Sequence, residues 1–142
     1  MGTKSGVYIG DALIQNNCHP VEKISFKNVC IEEDGLLRIL EACNANKSIE
    51  KLHLGFVSSR GLRLIANIIK INKTIKKLKF QEHSQLRWDE ASMKVFIDAL
   101  KQNCNLQKVK FDTADEECDY PSFKREIKFY VKKIQKEQKV EQ

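Results

Sequence analysis

Three histidines (His19, His53, His83) and five cysteines (Cys18, Cys30, Cys43, Cys104, Cys118) are the side chains in this sequence best suited to nucleophilic or metal chemistry. Nucleophilic catalysis needs a Cys or Ser held beside a His that a third group orients. The one adjacent pair, Cys18-His19, does not provide this, because neighbours on an extended chain point to opposite sides. Zinc sites need close ligand pairs of the C-x₂₋₄-C kind, and no two cysteines are spaced that way. A phosphate-cradling G-x-x-x-x-G-K loop is also missing. Asn46-Lys47-Ser48 and Asn72-Lys73-Thr74 match the glycosylation sequon, but both fall at the same place in a repeat, which accounts for them. Cys18 and Cys104 each follow an Asn at matched repeat positions, as small packing residues do. The cysteines are therefore expected to be unpaired, metal-free and mostly buried. No catalytic residue, cofactor or metal is assigned, and the chain is expected not to be an enzyme.

What remains is the chemistry of positive charge. The 142 residues hold 25 Lys and Arg against 19 Asp and Glu, a net charge of +6, and 20 of the cations are lysines. Residues 1–111 carry a net +7, residues 112–119 a net −5, and residues 122–142 a net +4. A body this basic attracts acidic proteins, nucleic acid or anionic lipid. With 42% apolar residues the chain has enough to bury in one core, and 31% charged residues keep the remainder solvated. No apolar run approaches the ~20 residues of a membrane span. The N-terminus lacks the apolar stretch of a secretory signal and the Arg-rich character of a transit peptide, and Gly6 stands where a myristoylation motif needs Ser or Thr. A reducing, cytoplasmic location is expected.

The elements that must position the lysines form a repeat. Val21-x-x-Ile24-x-Phe26, Ile49-x-x-Leu52-x-Leu54, Ile75-x-x-Leu78-x-Phe80 and Leu106-x-x-Val109-x-Phe111 share one pattern at spacings of 28, 26 and 31 residues. The alternation at the end of each block is that of a strand with one buried face, which predicts strands near 22–27, 50–55, 76–81 and 107–112. Between them, Gly6 to Asn17, Gly35 to Asn46, Gly61 to Asn72 and Ser92 to Asn103 each span eleven residues with a helical apolar period. Each closing Asn is expected to end its helix in the left-handed conformation.

A helix-strand unit of this length with an LxxLxL strand resembles the leucine-rich repeats of the ribonuclease-inhibitor type. NKSIEKLHL and NKTIKKLKF are similar to the repeats of tropomodulin-like and NOD-like-receptor proteins. The resemblance implies an α/β solenoid with parallel strands on its concave side and helices on its convex side. It covers essentially residues 6–138 of a single domain, 1–142, with repeats near 6–27, 35–55, 61–81 and 92–112. The usual pattern has Asn or Cys three places after the last strand Leu, where this chain has Val29, Val57, His83 and Ala114. Residues 122–138 place Ile127, Tyr130, Val131 and Ile134 on one helical face, as a C-terminal cap requires. No comparable cap precedes Gly6, so that edge is expected to meet further repeats or a partner.

If the apolar strand residues point inward, the alternating ones point out: Lys23, Ser25 and Lys27; Lys51, His53 and Gly55; Lys77, Lys79 and Gln81; Lys108, Lys110 and Asp112. The first of each set makes a column of four lysines, which Glu22 and Glu50 stand near enough in sequence to neutralise in part. The longer third and fourth loops, 80 to 92 and 111 to 122, lie on one rim and carry Trp88, His83, Tyr120 and the acidic cluster. Aromatic loop residues often anchor interfaces, although a lone Trp also packs under its own loop. The resulting expectation is a non-catalytic protein-interaction module, an adaptor or complex subunit, binding an acidic protein surface through Lys23, Lys27, Lys51, His53, Lys77, Lys79, Lys108 and Lys110, with Trp88 as a side clamp. Nucleic-acid binding by the same face is the alternative, with less support because exposed stacking aromatics and Arg are scarce. No small-molecule substrate and no membrane span are expected.

Overall fold

The computed structural model describes residues 21–83, 87–114 and 119–140. The helix expected over Gly6 to Asn17, with Cys18, His19 and Cys118, lies outside them. In chain order the elements are β1 (Lys23–Ser25), α1 (Glu33–Ala45), β2 (Lys51–Val57), α2 (Ser59–Ile69), β3 (Lys77–Glu82), α3 (Glu90–Gln102), β4 (Lys108–Asp112) and α4 (Pro121–Val140). The strands form one parallel sheet in the order β1-β2-β3-β4, so α1, α2 and α3 are each a crossover between neighbouring strands and α4 follows the last of them. Leu52, Leu54, Leu78 and Phe80 are buried beneath the helices, together with Leu36, Ile39, Leu40, Leu62, Ile65, Phe96 and Leu100 from the helices themselves. This is the two-layer solution expected when every strand hides one face and every helix one stripe.

Close packing explains the small residues that open the third and fourth repeats. A side chain at Gly61 would crowd Leu36 and Val57, each 3.1 Å from where its Cβ would sit. At the next equivalent position Ser92 is fully buried and accepts a 2.8 Å hydrogen bond from Arg63 Nε. Helix starts are fixed locally as well. Ser58 Oγ accepts from Gly61 N (3.1 Å) and Asp89 Oδ1 from Ser92 N (2.7 Å), each satisfying one of the donors that a helix N-terminus leaves open.

The closing asparagines act differently from expectation. Asn46 and Asn103 are extended (φ −88°, ψ 109° and φ −83°, ψ 145°), not left-handed. Their side chains, rather than their backbones, make the turn. Asn72 Oδ1 accepts from Thr74 N (2.9 Å) and Ile75 N (2.7 Å), and Asn103 Oδ1 from Asn105 N (2.7 Å) and Leu106 N (2.8 Å). Asn46 Oδ1 likewise accepts from Ser48 N at 3.0 Å. The amides of Asn103 and Asn72 also reach the repeat before: Asn103 Nδ2 donates to Ile69 O at 2.7 Å and Asn72 Nδ2 to Asn44 Oδ1 at 3.3 Å.

The inward-outward alternation breaks at the ends of the strands. The β2–β3 register shifts between His53 and Phe56, and Gly55 is buried where a Cβ would lie 1.9 Å from Val29 O. Only glycine permits that approach, so Gly55 does not face outward as the strict period implied. Gln81 is buried too, and pairs with Asn28 through Gln81 Nε2 to Asn28 Oδ1 (3.0 Å) and Asn28 N to Gln81 Oε1 (2.8 Å). Asn28 holds φ at 62°, a region its short amide side chain tolerates.

Replacing Asn103 with Ala removes the acceptor for the Asn105 and Leu106 N–H groups, the second of them buried. Such a loss is expected to cost about 1–3 kcal/mol, read as a lower urea midpoint with an unchanged slope. Asn67→Ala, on the exposed face of α2, is the control and should stay within about 0.5 kcal/mol of wild type.

Candidate functional site

The open face of the sheet is built by register. Lys23, Lys51, Lys77 and Lys108 are direct partners across β1 to β4, and Ser25, His53, Lys79 and Lys110 form the next row. Adjacent strands are about 4.8 Å apart, so the four lysines of the column stand within roughly 14 Å of one another. Lys23, Lys51, Lys77, Lys79 and Lys110 are exposed, while His53 and Lys108 are half-buried. Together the column, His53, Lys79 and Leu52 line a shallow depression of about 210 Å³. Lys27 is exposed beyond the end of β1, in the turn that follows it.

Nothing among the described residues neutralises this face by direct pairing. Glu50 pairs with Lys76 Nζ at 3.3 Å, off the column, and none of the described ion pairs includes a column lysine. The crowding is visible in the proton affinities. The charge of Lys110 holds Lys108 below the ordinary lysine value, helped by partial burial and by Lys79 and Lys77. Burial lowers His53 below the ordinary 6.5, with Lys79, Lys27 and Lys23 acting in the same direction and Asp112 opposing them. Asp112, in β4, is thus an acid that acts on His53 across the face.

Trp88 is not part of this surface. It is 4% exposed, its Nε1 donates to Val57 O at 3.1 Å, and it packs among Phe80, Phe111, Tyr120 and Phe123. An aromatic this large finds more apolar area in the core than on a rim, so the side-clamp expectation for Trp88 is corrected. The cysteines also depart from expectation. Cys43 is buried, and burial pushes its thiol up to about 12, but Cys30 and Cys104 are exposed. Among the described residues no group of three His, Cys, Asp or Glu is placed to hold a metal ion.

One residue that organises the rim escaped the sequence reading. Glu82 is 1% exposed and carries a carboxylate that binds Arg87 NH1 (2.8 Å), Trp88 N (3.1 Å) and Ala114 N (3.3 Å), and accepts from the Tyr120 hydroxyl. Burial and the bond to Glu82 push that hydroxyl up to about 12. A buried carboxylate is tolerable only when its lone pairs are satisfied, and here it ties the third and fourth loops together. The signal was present: Glu82 continues the inward parity of Leu78 and Phe80.

The fold and its face define a leucine-rich-repeat-like α/β domain with a basic open sheet. No family model matches the chain, and no curated protein matches it. Solved structures do. The chain is similar to a leiomodin-1 structure described as actin-binding site 2, with a TM-score of 0.81 and 18% identity over 99% of this chain and 78% of that one. It is also similar to the tropomodulin C-terminal domain of Caenorhabditis elegans, with a TM-score of 0.53 and 15% identity over 93% of this chain and 96% of that one. At these identities the likeness establishes the fold. No helix among the described residues is long and apolar enough to cross a membrane.

Two measurements follow from the geometry of the site. In an NMR titration His53 should titrate below 6.5, and Lys79→Glu should raise its midpoint, because a cation beside the ring is exchanged for an anion. Since the folded value lies below the unfolded one, His53 contributes stability that is present above 6.5 and lost as pH falls from there through the folded value. Trp88→Ala should destabilise the fold by about 3–5 kcal/mol, as core aromatics do, with the loss appearing in the denaturation midpoint of the protein alone.

Proposed function

We propose that this chain is a non-catalytic protein-binding module, an adaptor or complex subunit of the cytoplasm, whose open sheet face takes an acidic surface of a partner protein. The carrying observation is the set of lysines Lys23, Lys51, Lys77, Lys108, Lys79 and Lys110 in two registered rows with no ion pair among the described residues. Like charges held this close are mutually destabilising, and a partner carboxylate placed between two of them relieves both. Lys27 and His53 extend the same field. Actin is the first protein to test, because the leiomodin-1 region of similar fold is named for binding it.

Each exposed pair adds at most about 1 kcal/mol, so several lysines must act together. Binding should weaken sharply as salt shortens the screening length from about 10 Å at 0.1 M to 3 Å at 1 M. Protonation of His53 adds a cation to the face, so affinity for an acidic partner should rise as pH drops below 6.5, and the bound partner should raise the His53 midpoint. The deciding experiment is the triple reversal Lys51→Glu, Lys77→Glu, Lys79→Glu. Titrated with purified actin, and used alongside wild type to capture cellular proteins, the folded variant should lose the wild-type partner. Retention at wild-type affinity, or a preference for a nucleic-acid duplex over any protein, would sink the reading.

A further inference from the structure

The sheet ends on an edge that the terminal helix covers only in part. β4 is the last strand and has no strand on its outer side among the described residues. Beside it runs a groove of about 430 Å³ between β4 and α4, floored by Val109, Phe111, Ile127 and Val131. Lys108 and Lys110 line its sheet side, and Lys128 and Lys132 its helix side. Neither Lys128 nor Lys132 is in an ion pair among the described residues, whereas Lys124 at one end is held by Asp119 Oδ2 at 3.0 Å.

In the repeat, a helix is followed by a strand that pairs with the strand before it. The groove between β4 and α4 is therefore the place a next strand would occupy. Its dimensions agree: from Gln107 to Asp112 an extended chain covers roughly 16 Å at 3.3 Å per residue, and from Lys124 to Gln135 a helix covers roughly the same at 1.5 Å per residue. The hydrogen bonding agrees as well. The carbonyl preceding each strand accepts from the next repeat: Glu22 O from Glu50 N and Lys51 N, Glu50 O from Lys76 N and Lys77 N, Lys76 O from Gln107 N and Lys108 N. Gln107 O, the equivalent carbonyl of the last repeat, accepts instead from the side chain of Gln135 at 2.6 Å. One glutamine thus stands in for the first donor of a further strand, and among the described residues the edge beyond it stays open.

We propose that this groove receives an extended segment of a partner protein as a fifth strand, with apolar residues alternating toward Ile127 and Val131 and acidic residues alternating toward the lysines that line it, Lys108 and Lys110 from the sheet and Lys128 and Lys132 from the helix. An open strand edge offers main-chain hydrogen bonds that an apolar groove alone does not, and strand addition uses both with side-chain pockets at every second residue. Acids in this register prolong the rows of Lys79 and Lys110 and of Lys77 and Lys108 with the opposite charge. The groove's cations are what an acidic segment requires. A helical occupant would leave the edge of β4 unpaired. The proposal goes beyond the sheet-face reading, since it needs the edge of β4 and Lys128 and Lys132 rather than Lys51, Lys77 and Lys79.

The probe is a capped synthetic peptide, Ile-Glu-Glu-Leu-Glu-Phe, which is the pattern of residues 75–80 with glutamate at the three lysine places. Titrated into the ¹⁵N-labelled full chain, it should slow hydrogen exchange of β4 amides while β1 and β2 stay unchanged. The same peptide with proline in place of its last glutamate loses a backbone donor and should not protect them. Lys128→Glu with Lys132→Glu should weaken binding about tenfold, two exposed pairs' worth, and the Lys51, Lys77, Lys79 triple reversal should leave protection of the β4 amides in place. Equal binding of the proline peptide, no protection at millimolar peptide, a helical bound peptide, or protection that appears with protein concentration alone would each overturn it, the last pointing to a second copy of the chain at the edge.

Discussion

The carbonyl oxygen just before each of β1, β2 and β3 accepts two N–H groups from the following repeat, at 2.9 Å for both donors to Glu22 O and at 2.7 and 3.0 Å for those to Glu50 O. Because each strand takes its position from its predecessor in this way, register propagates along the stack. The buried asparagines make the contact repeatable. Asn46, Asn72 and Asn103 turn the chain from helix into strand with their side-chain oxygens, so each strand meets the previous one at the same residue. The asparagines that leucine-rich repeats usually carry after the strand are replaced here by Val29, Val57, His83 and Ala114. The buried amides sit instead at the other end of the strand, before it begins.

Register in turn decides where the charge goes. A slip of one residue would turn the four column lysines into the core, and burying even one unpaired ammonium costs several kcal/mol. Keeping them stacked in water costs far less, about 1 kcal/mol for charges 4 Å apart. The open face is therefore the cheaper of two unfavourable placements. It is also the reason that crowding shows in the lowered proton affinity of Lys108 and His53. A face kept basic by the same hydrogen bonds that hold the fold together does not depend on loop conformation for its charge pattern.

The parts legible in the sequence were those with a period. Strand alternation and the recurrence of Gly35, Gly61 and Ser92 located four strands in order, and the Lys23–Lys51–Lys77–Lys108 column emerged intact. The misreadings lie where a single contact outweighs the period. Gly55 turns inward because β2 crosses the Phe26–Val29 turn at contact distance, and Gln81 because Asn28 is there to meet it. Trp88 was ambiguous on its own. Its place was decided by Phe80, Phe111 and Phe123, which come from two different repeats and the terminal helix. Cys104 shows that a matched repeat position fixes the backbone without fixing burial, since what covers a residue depends on the next unit in the stack.

That dependence is sharpest at α4. A terminal helix with one apolar face seals the helix layer, and Phe123, Ile127, Val131 and Ile134 do so. The sheet layer poses a different requirement, because a strand edge presents main-chain donors and acceptors that apolar side chains do not satisfy. A helix has already spent its own N–H and C=O groups internally and has only side chains to offer. Gln135 and Gln138 meet that need at Gln107 O and Cys104 O, at the start of β4. Past that point α4 presents Lys132, Val131, Lys128 and Ile127, of which the lysines donate only toward solvent-accessible acceptors and the apolar pair not at all. An amphipathic cap therefore closes one layer of a strand-helix stack and leaves the other to whatever can bring a backbone to it.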